Sequence, residues 1–180
     1  MGLLRPGVHI HLVGIGGIGL SAIARVLHGW GYTVSGSDMQ PSALLDDLIA
    51  EGIVAYPSHK AGQVAGAQIV VVSSAIPDDN PEVREALRRG LQVVKREQFL
   101  SDLTEGKLTI AVAGTHGKTT TSAMAVAALR ALGRDPSFMV GGELAGLSTN
   151  AHLGEPGLFV LEADEAFGTF LDLTLRALVV

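Results

Sequence analysis

The chain of 180 residues contains no cysteine, which excludes disulfides, thiolate metal sites and a cysteine nucleophile. Aromatic residues are scarce. One Trp, two Tyr and five Phe give no stacking surface for single-stranded nucleic acid. Basic residues are outnumbered, 13 against 18 acidic, for a net charge of -5, and no basic patch suited to a phosphate backbone is visible. No apolar run approaches the roughly 18 residues of a membrane helix. The leading Met1-Gly2-Leu3-Leu4-Arg5-Pro6 lacks the basic-then-apolar layout and cleavage site of a signal peptide. The expectation is a soluble cytoplasmic chain without nucleic-acid binding or membrane insertion; its oligomeric state is left open.

Apolar mass and glycine are abundant. Hydrophobic residues make up 47% and the mean hydropathy is +0.37, ample for a packed core and incompatible with general disorder. Glycine occurs 23 times, against about 13 expected from average usage, and the excess falls mostly in loops beside apolar runs.

Short β-branched runs alternate with Ala/Leu-rich segments. Residues 8–13 read as a strand, followed by a glycine turn and a helix over 18–28. A second strand is expected at 32–37, and a helix over 41–51 with Pro41 near its first turn, where the missing N–H costs nothing. The run 68–73 is apolar on both faces, as parallel sheets require. A helix over 79–89 closed by Gly90 and a short strand at 91–94 complete the unit. Such βαβ repetition predicts an α/β fold with a doubly wound parallel sheet.

The polar stretch Ser101–Lys107 marks a boundary, dividing 1–103 from 104–180. The pattern then restarts with a strand at 108–113, a glycine loop and a helix over 118–132 closed by Gly133. Further strands are expected at 137–140, 158–162 and 177–180. Leu175–Val180 reads as the start of an interior strand, so the chain is expected to be a fragment truncated at Val180.

Two loops carry phosphate-binding chemistry. Gly14-Ile15-Gly16-Gly17-Ile18-Gly19 fits G-x-G-x-x-G between a strand and a helix, where the backbone turns tightly and the helix start offers N–H groups to a diphosphate. Asp38 follows about twenty residues on, placed to meet a ribose hydroxyl. Glycines serving only close helix–strand packing are the structural alternative. Ala113-Gly114-Thr115-His116-Gly117-Lys118-Thr119-Thr120-Thr121 carries the Gly-Lys-Thr end of a P-loop. Backbone N–H groups there cradle phosphates, Lys118 reaches the β/γ oxygens and the Thr119 hydroxyl ligates Mg²⁺. The usual spacing wants glycine at 112, where this chain has Val112.

Glu162-Ala163-Asp164-Glu165 ends a strand and offers carboxylates to complete a magnesium site; solvated loop charges are the alternative. Ser73 and Ser74 follow the most buried strand, at the sheet edge where ligands bind. His9 and His11 read as edge or satisfied core histidines. Asn150 and His152 lie in a polar loop, facing substrate or solvent.

Taken in order, Val13-Gly14-Ile15-Gly16-Gly17-Ile18-Gly19-Leu20-Ser21, Ser35-Gly36-Ser37-Asp38, the loop through Lys118 and Glu162-Ala163-Asp164-Glu165 resemble the bacterial Mur ligases from about residue 8 onward. The Gly-Thr-His-Gly-Lys-Thr-Thr loop is fairly specific for the branch that holds the alanine-adding and murein-peptide-recycling members, and the first glycine loop favours the alanine-adding one. The resemblance implies a Rossmann-like first domain that holds a UDP-sugar, not NAD. Gly14, Ile15, Gly16, Gly17, Ile18 and Gly19 would cradle its diphosphate, with Asp38 near the nucleoside and Ser73 and Ser74 at the same site. It implies the start of a P-loop central domain binding ATP and Mg²⁺. There Gly114, Thr115, His116, Gly117, Lys118, Thr119 and Thr120 would hold ATP, with Lys118 the catalytic residue on the γ-phosphate and Thr119 and Glu162 on the metal.

The implied reaction, a step of peptidoglycan synthesis, transfers a phosphoryl group from ATP to the lactyl carboxylate of UDP-N-acetylmuramate. The amine of L-alanine then attacks the acyl phosphate and expels phosphate. Lys118 and Mg²⁺ suit this task, which is to stabilise moving negative charge. Two departures stand out. Ala166-Phe167 follow Asp164-Glu165 where the family continues with Ser-Asp, so no role carries over from that pair. The family's chains are also much longer, with a further metal-ligating histidine and a third domain, so this chain is expected to be inactive alone. Two other classes compete. A nicotinamide-binding oxidoreductase domain fits the first loop and Asp38 but leaves the second loop unexplained. A non-catalytic nucleotide-sensing module would use both loops without chemistry.

Overall fold

In a computed structural model the described residues are 3–142, 144, 149–163 and 177–179; Asp164, Glu165, Ala166, Phe167, Leu175, Arg176 and Val180 lie outside them. The chain divides into two compact units, one up to Phe99 and one from Leu100. No described helix is long and apolar enough to cross a membrane.

The first unit is a five-stranded sheet in the order β3-β2-β1-β4-β5, every pair parallel. It runs β1 (His9–Val13), α1 (Ile18–Gly29), β2 (Thr33–Ser37), α2 (Ala43–Ala50), β3 (Val54–Tyr56), a 3-10 turn (Ala61–Val64), β4 (Ile69–Val72), α3 (Pro81–Arg88) and β5 (Gln92–Lys95). The order reverses between β1 and β4. Right-handed crossovers therefore wind the helices onto both faces and open a crevice at the strand carboxyl ends. α1 forms because Leu20, Ile23, Ala24 and Leu27 fall on one buried face. It stops at Gly31, whose positive φ of 84° lets its N–H reach the His28 carbonyl at 2.9 Å. Val13, Val64, Val70, Val72, Val83 and Ala86 pack as one core cluster.

Several boundaries differ from the sequence reading, each for a local reason. The helix expected over 41–51 is shorter because Ser42 caps it, its Oγ accepting from Leu45 N at 3.2 Å, which leaves Pro41 outside the first turn. The helix expected over 79–89 begins at Pro81, because the buried Asn80 side chain accepts from Glu82 N at 2.9 Å. The polar stretch expected to mark the boundary starts inside a helix, α4 (Arg96–Thr104), which buries Phe99, Leu100 and Leu103. The edge strand β3 was not expected.

The second unit has the order β10-β6-β9-β7-β8, built from β6 (Leu108–Val112), α5 (Lys118–Ala131), β7 (Pro136–Met139), β8 (Ala151–His152), β9 (Glu155–Glu162) and β10 (Ala177–Val179). Among the described strands only the short β8 runs antiparallel, against β7. It includes His152, expected in a loop. Val126 of α5 packs on Phe138, Val140 and Val160, which fixes the helix over the sheet and aims its first turn at the carboxyl ends of β6 and β9.

Candidate functional sites

In the first unit, the reversal between β1 and β4 opens into a cavity of about 680 Å³, within the range of small-molecule sites. Gly14, Gly17, Asp38, Met39, Ser73 and Ile76 line it, together with His59. Ser74 is exposed and stands outside that lining.

The glycine loop is tied down from within. Gly14 N and Ile15 N both donate to the Ser37 carbonyl, at 2.8 and 3.0 Å, and Gly17 N donates to Gly14 O at 3.1 Å. Gly16 N donates to Asp38 Oδ2 at 3.0 Å. The first-turn amides of α1, among them Gly19 and Leu20, precede the first helical bond, from Ser21 N to Gly17 O, and a helix start offers such N–H groups to an anion. Ile15 does not face the cavity. Its side chain is fully buried against Gly36, where a Cβ would sit 2.6 Å from both Ile15 Cδ1 and the Leu12 carbonyl. Gly16 must be glycine for a different reason, since a Cβ there would lie 2.9 Å from Asp38 Oδ2.

Asp38 is oriented by this loop. Its other oxygen accepts from Gln40 N at 3.0 Å, and each carboxylate oxygen keeps a lone pair for a further donor. A Cβ on Gly19 would collide with the guanidinium of Arg96, so an arginine from the end of β5 lies against the positive end of α1. Arg96 is itself paired with Glu97, Nε to Oε1 at 3.2 Å, and its guanidinium brings a cation to that end of the helix. Arg96 and His59 escaped the sequence reading because neither belongs to a motif; only folding carries them to the loop.

The second unit presents the other loop at the β6 edge. Gly117 takes the left-handed conformation, φ 75°, as the N-cap of α5, and Gly114 has φ 134°; both conformations disfavour any other residue. Thr115, His116, Gly117 and Thr120 are exposed. Lys118 Nζ donates to the Gly114 carbonyl at 2.6 Å, folded over the mouth of its own loop. Glu162, last residue of β9, pairs with Val112 at the end of β6. Its carboxylate accepts from Thr119 Oγ1 at 3.0 Å and from Gly141 N at 2.7 Å. The fold thus brings Lys118, Thr119 and Glu162 to one strand edge.

A hydroxyl beside a carboxylate is a hard-oxygen pair that fits Mg²⁺, which takes few protein ligands and keeps its waters. No group of three or more His, Cys, Asp or Glu that could hold a metal ion occurs among the described residues. Gly141 is the residue missed here. A Cβ at that position would lie 2.9 Å from Glu162 Oε1. His152 stands apart, its Nε2 3.0 Å from Asp135 Oδ2 and its ring stacked on Phe138. Asn150 is buried, its carbonyl accepting from Val140 N at 2.9 Å.

Comparison with known proteins is consistent across sequence and structure. Residues 9–108 match the model of the Mur ligase family, catalytic domain. The chain is 50% identical over 166 residues to a UDP-N-acetylmuramate–L-alanine ligase of Chromobacterium violaceum, covering 92% of this chain and 36% of that protein. Among solved structures, the UDP-N-acetylmuramate–alanine ligase of Thermotoga maritima superposes with a TM-score of 0.88 at 34% identity, covering 94% of this chain and 40% of that one. A UDP-N-acetylmuramate:L-alanyl-γ-D-glutamyl-meso-diaminopimelate ligase of Neisseria meningitidis gives 0.87 at 29% identity, covering 97% and 60%. The chain spans about a third of the length of the curated relatives it matches.

Proposed function

The chain belongs to the Mur ligase family, and from that premise we propose that it is the nucleotide-binding part of an ATP-dependent ligase joining L-alanine to UDP-N-acetylmuramate. One observation carries the reading: Lys118, Thr119 and Glu162 converge at the second glycine loop, an arrangement a nicotinamide-binding domain does not need. The domain division falls near residue 103. The first domain takes the UDP-sugar in the crevice lined by Gly14, Asp38 and Ser73. First-turn amides of α1 and the Arg96 guanidinium hold the diphosphate, and Met39 and Ile76 wall the nucleoside.

In the second domain the Lys118 ammonium turns from the Gly114 carbonyl to the phosphate oxygens of ATP, exchanging a neutral acceptor for a charged one. Thr119 and Glu162 hold the magnesium, which when bound neutralises charge on the transferring phosphoryl group. The phosphoryl acceptor is the lactyl carboxylate of the sugar, and the amine of L-alanine displaces phosphate from the resulting acyl phosphate. Such a ligase works in the cytoplasm, where ATP and the UDP-sugar are both supplied.

Calorimetric titration of the chain with UDP-N-acetylmuramate, NAD and MgATP tests this. UDP-N-acetylmuramate and MgATP bind and NAD does not. Lys118→Ala weakens MgATP by about ten- to a hundredfold, the value of a charge-assisted bond, and leaves the UDP-sugar untouched. NAD binding without UDP-sugar binding would overturn the assignment.

A further inference from the structure

We propose that the backbone of Gly142, just beyond the end of β7, holds the terminal phosphate of ATP, its N–H donating to that phosphate's oxygens. The proposal rests on the ATP reading of the second loop and adds to it a group from a third strand.

The sheet order places β9 between β6 and β7. β6 runs into the glycine loop, β9 ends on Glu162, and β7 ends on Met139, which pairs with Leu161. The segment after β7 therefore leaves the sheet level with the Glu162 carboxylate. It is short and pinned at both ends. Val140 and Leu144 are buried in one cluster with Val126 of α5. Val140 N donates to the Asn150 carbonyl at 2.9 Å, and Leu144 N donates to that of Thr149 at 3.1 Å.

Between these pins stand two glycines with different reasons to be there. At Gly141 the neighbours exclude a side chain, since a Cβ would lie 2.9 Å from Glu162 Oε1. Its N–H is also taken, by Glu162 Oε2 at 2.7 Å. At Gly142 neither condition holds. Its φ lies outside the left-handed region, and a Cβ would meet Thr119 Cγ2 at 3.6 Å, an ordinary contact. Neither backbone strain nor packing calls for glycine at this position. Its N–H donates to no described residue, whereas those of Val140, Gly141 and Leu144 all have acceptors. Gly142 is half-buried. A bare backbone with an unused donor, next to Thr119, suits the close approach of an anion.

Position decides which anion this is. The loop after β6 wraps the phosphates, and Thr119 and Glu162, hydrogen-bonded at 3.0 Å, mark the metal on the β9 side. Gly142 stands beyond that pair, on the strand farther from the loop. The phosphate that reaches it is the last of the chain, which ADP lacks. The pins at Val140 and Leu144 hold the amide in place beforehand, so it meets the charge of the transferring group without reorganising.

The test is ¹H–¹⁵N NMR on the full chain, with the Gly142 amide assigned through the backbone and followed in titrations with MgADP and MgATP. The Gly142 amide moves on saturation with MgATP and stays in place with MgADP, while amides of the Gly114–Lys118 loop move with both. Gly142→Ala sets a methyl group against the phosphate. Checked for fold by circular dichroism, it keeps its MgADP affinity and binds MgATP about tenfold more weakly, the value of one charge-assisted hydrogen bond. The titration of the unsubstituted chain decides by itself if the variant does not fold. A Gly142 amide that stays still with MgATP while the loop amides respond overturns the proposal, as does one that moves equally with MgADP. So does a folded Gly142→Ala that keeps full MgATP affinity, or that loses MgATP and MgADP alike. Those results leave the ATP reading standing, whereas no response of the loop to either nucleotide removes both.

Discussion

Thr119 and Glu162, 43 residues apart in the chain, meet with Oγ1 3.0 Å from Oε2. The contact exists because β9 lies beside β6 in register, Glu162 against Val112, while α5 starts its first turn over the same edge. The carboxylate is then held from a second side by the Gly141 amide, so its orientation is decided by backbone and not by rotamer preference alone.

Gly141→Ala follows from that geometry. The new Cβ would lie 2.9 Å from Glu162 Oε1 and 3.2 Å from its Cδ, so the carboxylate must turn away. Displacing the support of a metal ligand typically costs about 10- to 100-fold in affinity. Calorimetry should show that loss for magnesium-dependent ATP binding, with UDP-sugar binding unchanged. Full MgATP affinity in the variant would mean that Gly141 does not set Glu162.

Gly36→Ala addresses the first loop through packing. Its Cβ would meet Ile15 Cδ1 and the Leu12 carbonyl at 2.6 Å each, and the carbonyl belongs to the central strand of the sheet and has nowhere to go. Overpacking of this kind costs about 1–3 kcal/mol. Chemical denaturation should show a lower midpoint at an unchanged slope.

His9 gives the fold an acid sensitivity. Burial depresses its pKa below 6.5, the Gly66 bond opposes that, and the neighbouring His11 charge adds to it. Below about pH 6.5 the unfolded chain therefore takes up a proton that the folded chain refuses. The stability is complete above that value and is lost as pH falls through the folded-state pKa. The thermal midpoint should decline between pH 7.5 and 5.5, and His9→Gln should flatten that decline.

Much of this was legible in the residues themselves. The parallel strand β4 announces itself by a continuous apolar run, β1 and β6 by apolar and β-branched residues leading into a glycine loop, and both glycine loops by strand–turn–helix punctuation. α4 was hidden because its polar residues outnumber the buried Phe99, Leu100 and Leu103, so composition read as a polar boundary. β3 and β8, of three and two residues, are too short to show a period. Arg96 on Gly19 and Gly141 on Glu162 join residues 77 and 21 positions apart, and no local pattern encodes such pairs. Gly36 is instructive: only the packing of Ile15 and the Leu12 carbonyl against it explains a glycine inside a strand.

The most direct test of the central claim is hydrogen exchange of the whole chain, followed residue by residue with UDP-N-acetylmuramate and with NAD. The account predicts protection confined to the first turn of α1, Asp38–Gln40, His59 and the Ser73–Pro81 rim when the UDP-sugar is added, and none with NAD. Protection of that crevice by NAD, with the UDP-sugar silent there, would contradict it.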